Sequence, residues 1–427
     1  MSVKQYRWIS PVRTLILLWV IVLTGTRLAP ERLLYATWGN SRLLSQSGAI
    51  ALIGCIGFFI MGAISYDFMI KKQRRLLFQY RVPSLEEIKV GLNLISWGTW
   101  LILPILIYWL YITFRDLGGI GAWSRVFEGT RLPGGVRSLF ELNEPLGGSE
   151  TLVTTLTALL ICCAGYKGYL RANNHINFKA INKRASFLLA ILFALLLCYV
   201  LFSSTRVFFV TGVLSALAAF AITSGEGVTP FSKRFLLTLL ILGGFWVITQ
   251  ASAYNDLLQL NPIESLQFSL ERLFFYFAIN VRNFDTTINY IRAHTWGAST
   301  FWGVLQISGV SHLLTASNLL RNAEFERTLY IVKGAGTLPA FGHLYRDFGL
   351  FAFPLLFIAG VFFERSFVRS RLGTFNALFY AYLWGALVFS YQYSLFFDRA
   401  FLWNMFVMWV ISRFSAQIAA RSSKRRL

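Results

Sequence analysis

The residues with the most chemical reach in this 427-residue chain are arginines. Arginine offers a planar fork of donors that matches phosphate oxygens, and it stays charged at any working pH. Four clusters set such arginines beside an acid, a histidine or a hydroxyl. The first is Ser203-Ser204-Thr205-Arg206. The second is Glu271, Arg272, Arg282 and Asp285. Its two arginines are ten residues apart, nearly three helical turns, so a continuous helix presents both roughly to one side. The third is Arg321, Glu324, Glu326 and Arg327. The fourth and most specific is GAGTLPAFGHLYRDFG, residues 334–349, where three glycines and a proline precede His343, Tyr345, Arg346 and Asp347. Glycine lets backbone approach a ligand closely and also serves in a plain turn. Histidine near neutral pH is a general base, a hydrogen-bond donor or a satisfied interfacial side chain. Asp347 and Arg346 are also placed to pair with each other or to cap the helix that follows.

The elements that must position these groups are membrane spans. Hydrophobic residues make up 56% of the chain and charged residues 14%, against about 45–50% and about 25% in a soluble domain. The apolar excess comes in blocks, and a helical span needs about 20 residues. Ten runs qualify as span cores: 15–28, 48–70, 91–114, 151–166, 185–202, 207–223, 235–248, 348–363, 375–391 and 400–411. The expectation is an all-α polytopic membrane protein of about 10–12 transmembrane helices, one domain over residues 1–427. A large loop over 249–347 lies between the seventh span and the Gly/Pro-rich segment before Phe348. Within it 268–279 and 300–314 read as interfacial or re-entrant helices; if both cross, the span count is twelve. Lys4, Arg7 and Arg13 precede the first run with no A-x-A site after it, so that run reads as an uncleaved first span.

The four cysteines, Cys55, Cys162, Cys163 and Cys198, all sit in apolar runs and read as small buried hydrophobes. No CxxC or HExxH spacing occurs and the histidines are scattered, so neither a metal site nor a cofactor is expected.

The net charge of +21 invites a nucleic-acid reading, but its distribution argues for topology instead. With the N-terminus in the cytoplasm, 24 of the 40 Lys and Arg fall inside and 14 of the 19 acids outside. The basic charge is therefore a positive-inside signal and a contact for anionic lipid. Fifteen of the 16 outer cations are Arg, which returns attention to phosphate on the outer face.

Part of the chain resembles a known family. Thr205-Arg206 stands at the head of a mid-chain span, an Arg- and aromatic-rich outer loop carries Asn283-Phe284-Asp285, and a Gly/Pro-x-x-G-x-x-Y-x-D-x-G segment closes it. From about Ser203 to Gly349 this resembles the bacterial oligosaccharide repeat-unit polymerases, the Wzy or O-antigen polymerase type. The first five spans resemble them only in hydropathy. The resemblance implies en bloc transfer of a glycan from undecaprenyl diphosphate onto another lipid-linked glycan, for O-antigen (lipopolysaccharide), capsule or exopolysaccharide. It implies a multi-pass bacterial inner-membrane protein, both termini cytoplasmic, with a periplasmic active site and no metal. Its partners are the lipid-linked donor and acceptor, membrane lipids, a chain-length regulator and a flippase, with no nucleic acid.

On that basis Arg206, Arg272 and Arg346 are the expected diphosphate ligands. Arg282 joins them beside the reacting bond, His343 or Asp285 is the base, and Tyr345 is a hydrogen-bonding partner. An O-antigen ligase has the same donor. A lipid-phosphate-sugar transferase usually carries paired acids in its first outer loop, where this chain has only Glu31. A flippase calls for cations inside the spans and two similar halves, and neither is evident.

Overall fold

The computed structural model describes residues 8–31, 44–70, 82–119, 136–145, 149–172, 179–203, 206–225, 262–290, 294–308, 338–392 and 394–424, with a few isolated positions besides. Every regular element among them is a helix. The helices are α1 Pro11–Arg27, α2 Gln46–Ile70, α3 Leu85–Asp116, α4 Val136–Leu142, α5 Ser149–Ala172, α6 Lys179–Ser203 and α7 Arg206–Ser224. There follow α8 Pro262–Tyr290, α9 Trp302–Ile307, α10 Ala340–Phe348, α11 Ala352–Arg369, α12 Thr374–Phe389 and α13 Arg399–Lys424. A 3₁₀ turn, Gly349–Phe351, joins α10 to α11.

Among the described residues, six stretches are apolar and long enough to cross a membrane: Gln46–Ile70, Leu85–Asp116, Ser149–Ala172, Lys179–Phe202, Val207–Ser224 and Ala340–Arg369. The chain is an all-α, multi-pass membrane protein. Nine of the ten expected cores fall within described helices. The run at 235–248 lies almost wholly outside the described residues. The two doubtful segments resolve differently. Residues 268–279 sit inside the 29-residue helix α8. The 300–314 segment contains only the six-residue α9, too short to cross at 1.5 Å per residue; residues 309–314 lie outside the described set.

Local sequence explains where the helices begin. Ser84 accepts from the Glu87 N–H at 3.1 Å, an N-cap that starts α3 six residues ahead of its apolar run. Pro11 opens α1 at a position where a missing N–H is harmless.

In lipid there is little hydrophobic drive between helices, so association rests on close packing of small residues. Helices α2 and α11 show this most clearly. A Cβ on Gly62 would collide with the Phe357 carbonyl, and one on Gly360 with the Phe59 carbonyl. Gly360→Leu is expected to cost about 3 kcal/mol by overpacking, seen as a lower melting temperature of the solubilised protein. Gly57→Leu on α2, where a Cβ meets nothing within 4 Å, is the control expected to leave it unchanged. Helix α5 is the centre of the bundle: 83% of its most apolar window is buried. Its Gly168 lies against the Phe220 carbonyl of α7.

One end of the bundle carries the loop elements. Helix α8 lies across the ends of α1 and α2. Phe277 presses on Gly25 of α1, and Asp285 meets the Ser45 N–H at the head of α2 at 2.8 Å. On α9, Gly303 seats on the Phe397–Arg399 backbone at the head of α13. Trp403 of α13 donates to Thr155 of α5 at 2.8 Å, which brings the head of α5 to the same end.

Candidate functional site

The fourth sequence cluster folds into α10. Pro339 precedes the helix, and the Ala340 N–H, which has no partner within the helix, donates to the Ser390 carbonyl at the end of α12, 2.8 Å away. Phe341 stacks on Trp19 of α1 with centroids 5.8 Å apart. The helix stops at Gly349, whose φ of 54° suits glycine. A Cβ there would lie 3.1 Å from the His294 ring, so the turn is closed sterically as well as conformationally.

Spacings of three and four residues put His343, Arg346 and Asp347 on one face of α10. That face meets the turn at 294–301. Asp347 is fully buried, and its carboxylate takes three hydrogen bonds from this turn. They come from the Thr295 hydroxyl, from the Ser299 N–H at 3.2 Å and from the Thr300 N–H at 2.6 Å. The Asp347 carbonyl accepts from the Trp296 N–H at 3.1 Å, and the Arg346 carbonyl lies 3.0 Å from His294 Nδ1. Asp347 therefore neither pairs with Arg346 nor caps the next helix in the way its sequence position suggests. It anchors a turn some fifty residues away, about 52 for Thr295.

The anchored turn delivers Ser299 to the other two groups. Its Oγ lies 2.7 Å from His343 Nδ1 and accepts from the Arg346 guanidinium. A serine oxygen has two lone pairs and one proton, and Arg346 occupies one lone pair. If Ser299 accepts from Nδ1–H, the imidazole keeps Nε2 as a base. If Ser299 donates to Nδ1, Nε2 carries the proton and is a donor. The same three groups thus hold a proton acceptor or a proton donor beside a buried cation; Arg346 is 7% exposed. Tyr345, two residues along from His343, falls on the other side of α10 and packs against the hydrophobic core. The structure separates it from the His343 face.

The second cluster lies on α8, on different supports. Asp285 is buried, and its Oδ1 accepts from the Ser45 N–H at 2.8 Å, the Ser45 hydroxyl at 2.5 Å and the Asn289 amide at 3.1 Å. Ser47 reaches Asn289 Oδ1 at 2.5 Å. This carboxylate serves the N-terminus of α2, where orphan N–H groups and the helix dipole favour an anion. Arg282 stands 3.8 Å from its other oxygen, one turn earlier. With its acceptor sites turned to α2, Asp285 is the weaker of the two expected bases. Arg272 sits nearly three turns back, its guanidinium 5.4 Å from the Tyr276 ring centre and 5.9 Å from that of Phe268. Its Nη2 also donates to the Tyr276 hydroxyl at 3.4 Å.

Helix α1 ties the two clusters into one region, since Trp19 holds α10 and Gly25 holds α8. Phe277 of α8 also packs on Tyr391, 5.3 Å between centroids, beside the Ser390 carbonyl that receives α10. Beneath α9, burial pushes the Asp398 carboxyl above its ordinary range while the Ala400 N–H, Phe401 N–H and Arg399 pull it back.

Arg206 is the first residue of α7; its side chain and residues 204–205 lie outside the described residues. So do Arg321, Glu324, Glu326, Arg327 and residues 334–337. Among the described residues no group of three His, Cys, Asp or Glu is placed to hold a metal ion.

The sequence reading missed Ser299, Thr295, His294 and Trp296. Trp296 is a non-glycine residue with φ of 49°, a conformation that costs about 1–3 kcal/mol and gathers at functional sites. Its ring is 68% exposed and stands edge-on to His294, 6.3 Å between centroids. The local signal was Trp296-Gly297 followed by the small residues Ala298, Ser299 and Thr300, a turn signature just ahead of the apolar run at 300–314.

No protein-family model matches the chain, and no curated protein or solved structure matches it either.

Proposed function

We propose that this chain is a glycosyltransferase of the bacterial inner membrane that polymerises undecaprenyl-diphosphate-linked oligosaccharide repeat units on the periplasmic face, without a metal. The observation that carries the reading is the Arg346–Ser299–His343 group, assembled on one face of α10 from the segment whose motif resembles the repeat-unit polymerases. The acceptor hydroxyl oxygen bonds to the anomeric carbon of the donor glycan. The bond from that carbon to the diphosphate oxygen breaks, and the electron pair leaves with the diphosphate. The hydroxyl proton passes to His343 in its Nε2-base form. Arg346 meets the charge that develops on the leaving group, an interaction stronger in the transition state than before it. Arg206, Arg272 and Arg282 hold the diphosphates of donor and acceptor. Tyr345, turned into the core, acts on the site through the packing of α10.

Trp296 supports the same reading, because a rigid aromatic face suits a sugar ring. Trp296→Gly is expected to raise stability by about 1 kcal/mol, since glycine adopts positive φ without strain. The same change is expected to lower polymer yield by about three- to tenfold through loss of stacking. A thermal melt and a glycan gel on one variant read both effects.

The experiment for the function is a glycan gel from cells lacking the gene. Loss of the ladder with single repeats persisting on the outer side supports polymerisation. Finished polymer left on undecaprenyl diphosphate identifies a ligase instead. Single repeats held on the cytoplasmic side identify a flippase, and an altered repeat composition identifies a transferase that decorates the unit.

A further inference from the structure

At the end of the bundle away from this site, α5, α6 and α7 enclose a slot of about 690 Å³, inside the range of about 300–1,000 Å³ typical of small-molecule sites. Each helix gives it one stripe at helical spacing. Alanines Ala164, Ala190 and Ala216, one per helix, make the room. Leu160, Leu189, Phe193 and Phe220 supply apolar walls. The polar groups gather at one end: Lys167 and Arg171 in the last turns of α5, Asn182 and Ser186 in the first turns of α6. Within each pair the spacing is four, so both members lie on one helix face. Ser186 donates to the Asn182 carbonyl at 2.9 Å, and Lys167 and Arg171 carry the positive charge of this end. Thr155, near the head of α5, lies at the opposite end of the bundle against Trp403. The sixteen residues from Thr155 to Arg171 rise about 24 Å, close to a leaflet-to-leaflet distance.

The charge is one-sided. No slot-lining residue is acidic. From Thr151 to Gly225, which covers nearly all of the three lining helices, the sequence holds six Lys and Arg and no Asp or Glu. An apolar slot open between helices, with cations only at its end, is complementary to an amphiphile with an anionic head. Basic pockets between spans on the cytoplasmic side bind anionic lipid head groups in this way.

We propose that this slot binds one anionic phospholipid of the leaflet opposite the candidate site, with its phosphate on Lys167 and Arg171 and an acyl chain along the alanine-lined groove. The lipid braces α6 against α5 and α7. It takes no part in chemistry at the other end, so the inference stands whether or not the chain is a polymerase.

Native mass spectrometry of the full-length purified protein, stripped of lipid in detergent and titrated separately with phosphatidylglycerol and phosphatidylethanolamine, tests this. Phosphatidylglycerol is expected to bind the tighter by more than about fivefold, and Lys167→Gln and Arg171→Gln are each expected to weaken it about fivefold, with phosphatidylethanolamine, whose ammonium already offsets its phosphate, weakened less. Ala190→Leu keeps both cations and fills the groove; it is expected to weaken both lipids, and it carries the test if the charge variants do not fold. Equal affinity for the two phospholipids would overturn the proposal. So would wild-type binding in the charge variants, or in Ala190→Leu. Undecaprenyl phosphate displacing phosphatidylglycerol at a lower concentration than phosphatidylglycerol itself would also overturn it and assign the slot to the polyprenyl carrier.

Discussion

Arg346→Lys is expected to lower polymerisation by about 10²–10³-fold while leaving the protein folded. Lysine keeps the charge but loses the planar fork that touches Ser299 and that matches a phosphate bidentately. Removing one preorganised donor from developing charge typically costs that much in turnover. The loss should fall on kcat rather than on KM, because the interaction strengthens only as the diphosphate leaves. His343→Ala should be comparably severe, about 10²–10⁴-fold. Ser299→Ala should be milder, since it removes the hydroxyl that orients both neighbours but neither neighbour itself. Near-normal polymer from Arg346→Lys would remove this arginine from the chemistry.

Asp347→Ala is expected to be the most destabilising single change at the site, and by a different route. The carboxylate is fully buried and accepts from Thr295, Ser299 and Thr300. Each buried donor left without its acceptor costs about 1–3 kcal/mol, so a loss of about 3–5 kcal/mol follows. Asp347→Asn should recover only part of it, because one of its two acceptor positions becomes an N–H facing other N–H groups. The measurement is limited proteolysis together with a thermal melt. New cleavage within 294–301 and a melting temperature lower by several degrees are expected from Asp347→Ala, with neither in Arg346→Lys. If Asp347→Ala melts and digests like the wild type, the turn is held by something other than this carboxylate.

The spans were legible because lipid imposes one requirement on every crossing segment: about 20 apolar residues with all backbone groups bonded internally. Their ends were less so. Helix α3 starts at Leu85 on a serine N-cap, and α13 continues to Lys424 past its apolar run, which ends at 411. Helix α8 was legible only as an aromatic patch, although the expectation that Arg272 and Arg282 share one continuous helix holds.

At the site, the face shared by His343 and Arg346 follows from spacing alone. Its partner does not. Ser299 meets His343 across 44 residues, a contact set by how α9 seats on the head of α13, and no local pattern encodes it. Asp347 beside Arg346 suggested an ion pair; the two face the 294–301 turn together, each with its own role. Asp285 read as a base from its membrane-edge position and its place in the Asn283-Phe284-Asp285 resemblance, whereas its nearest donors lie on Ser45 at the head of α2, some 240 residues away in the chain.

The most direct test uses the lipid-linked single repeats that a strain lacking the gene is expected to accumulate. Extracted and supplied to the purified protein in liposomes, with a metal chelator present, they should be converted into longer lipid-linked glycans with release of undecaprenyl diphosphate. The Arg346→Lys protein should leave them unchanged. Repeats that cross the bilayer without lengthening, or that stay as single units with the wild-type protein, would contradict the account.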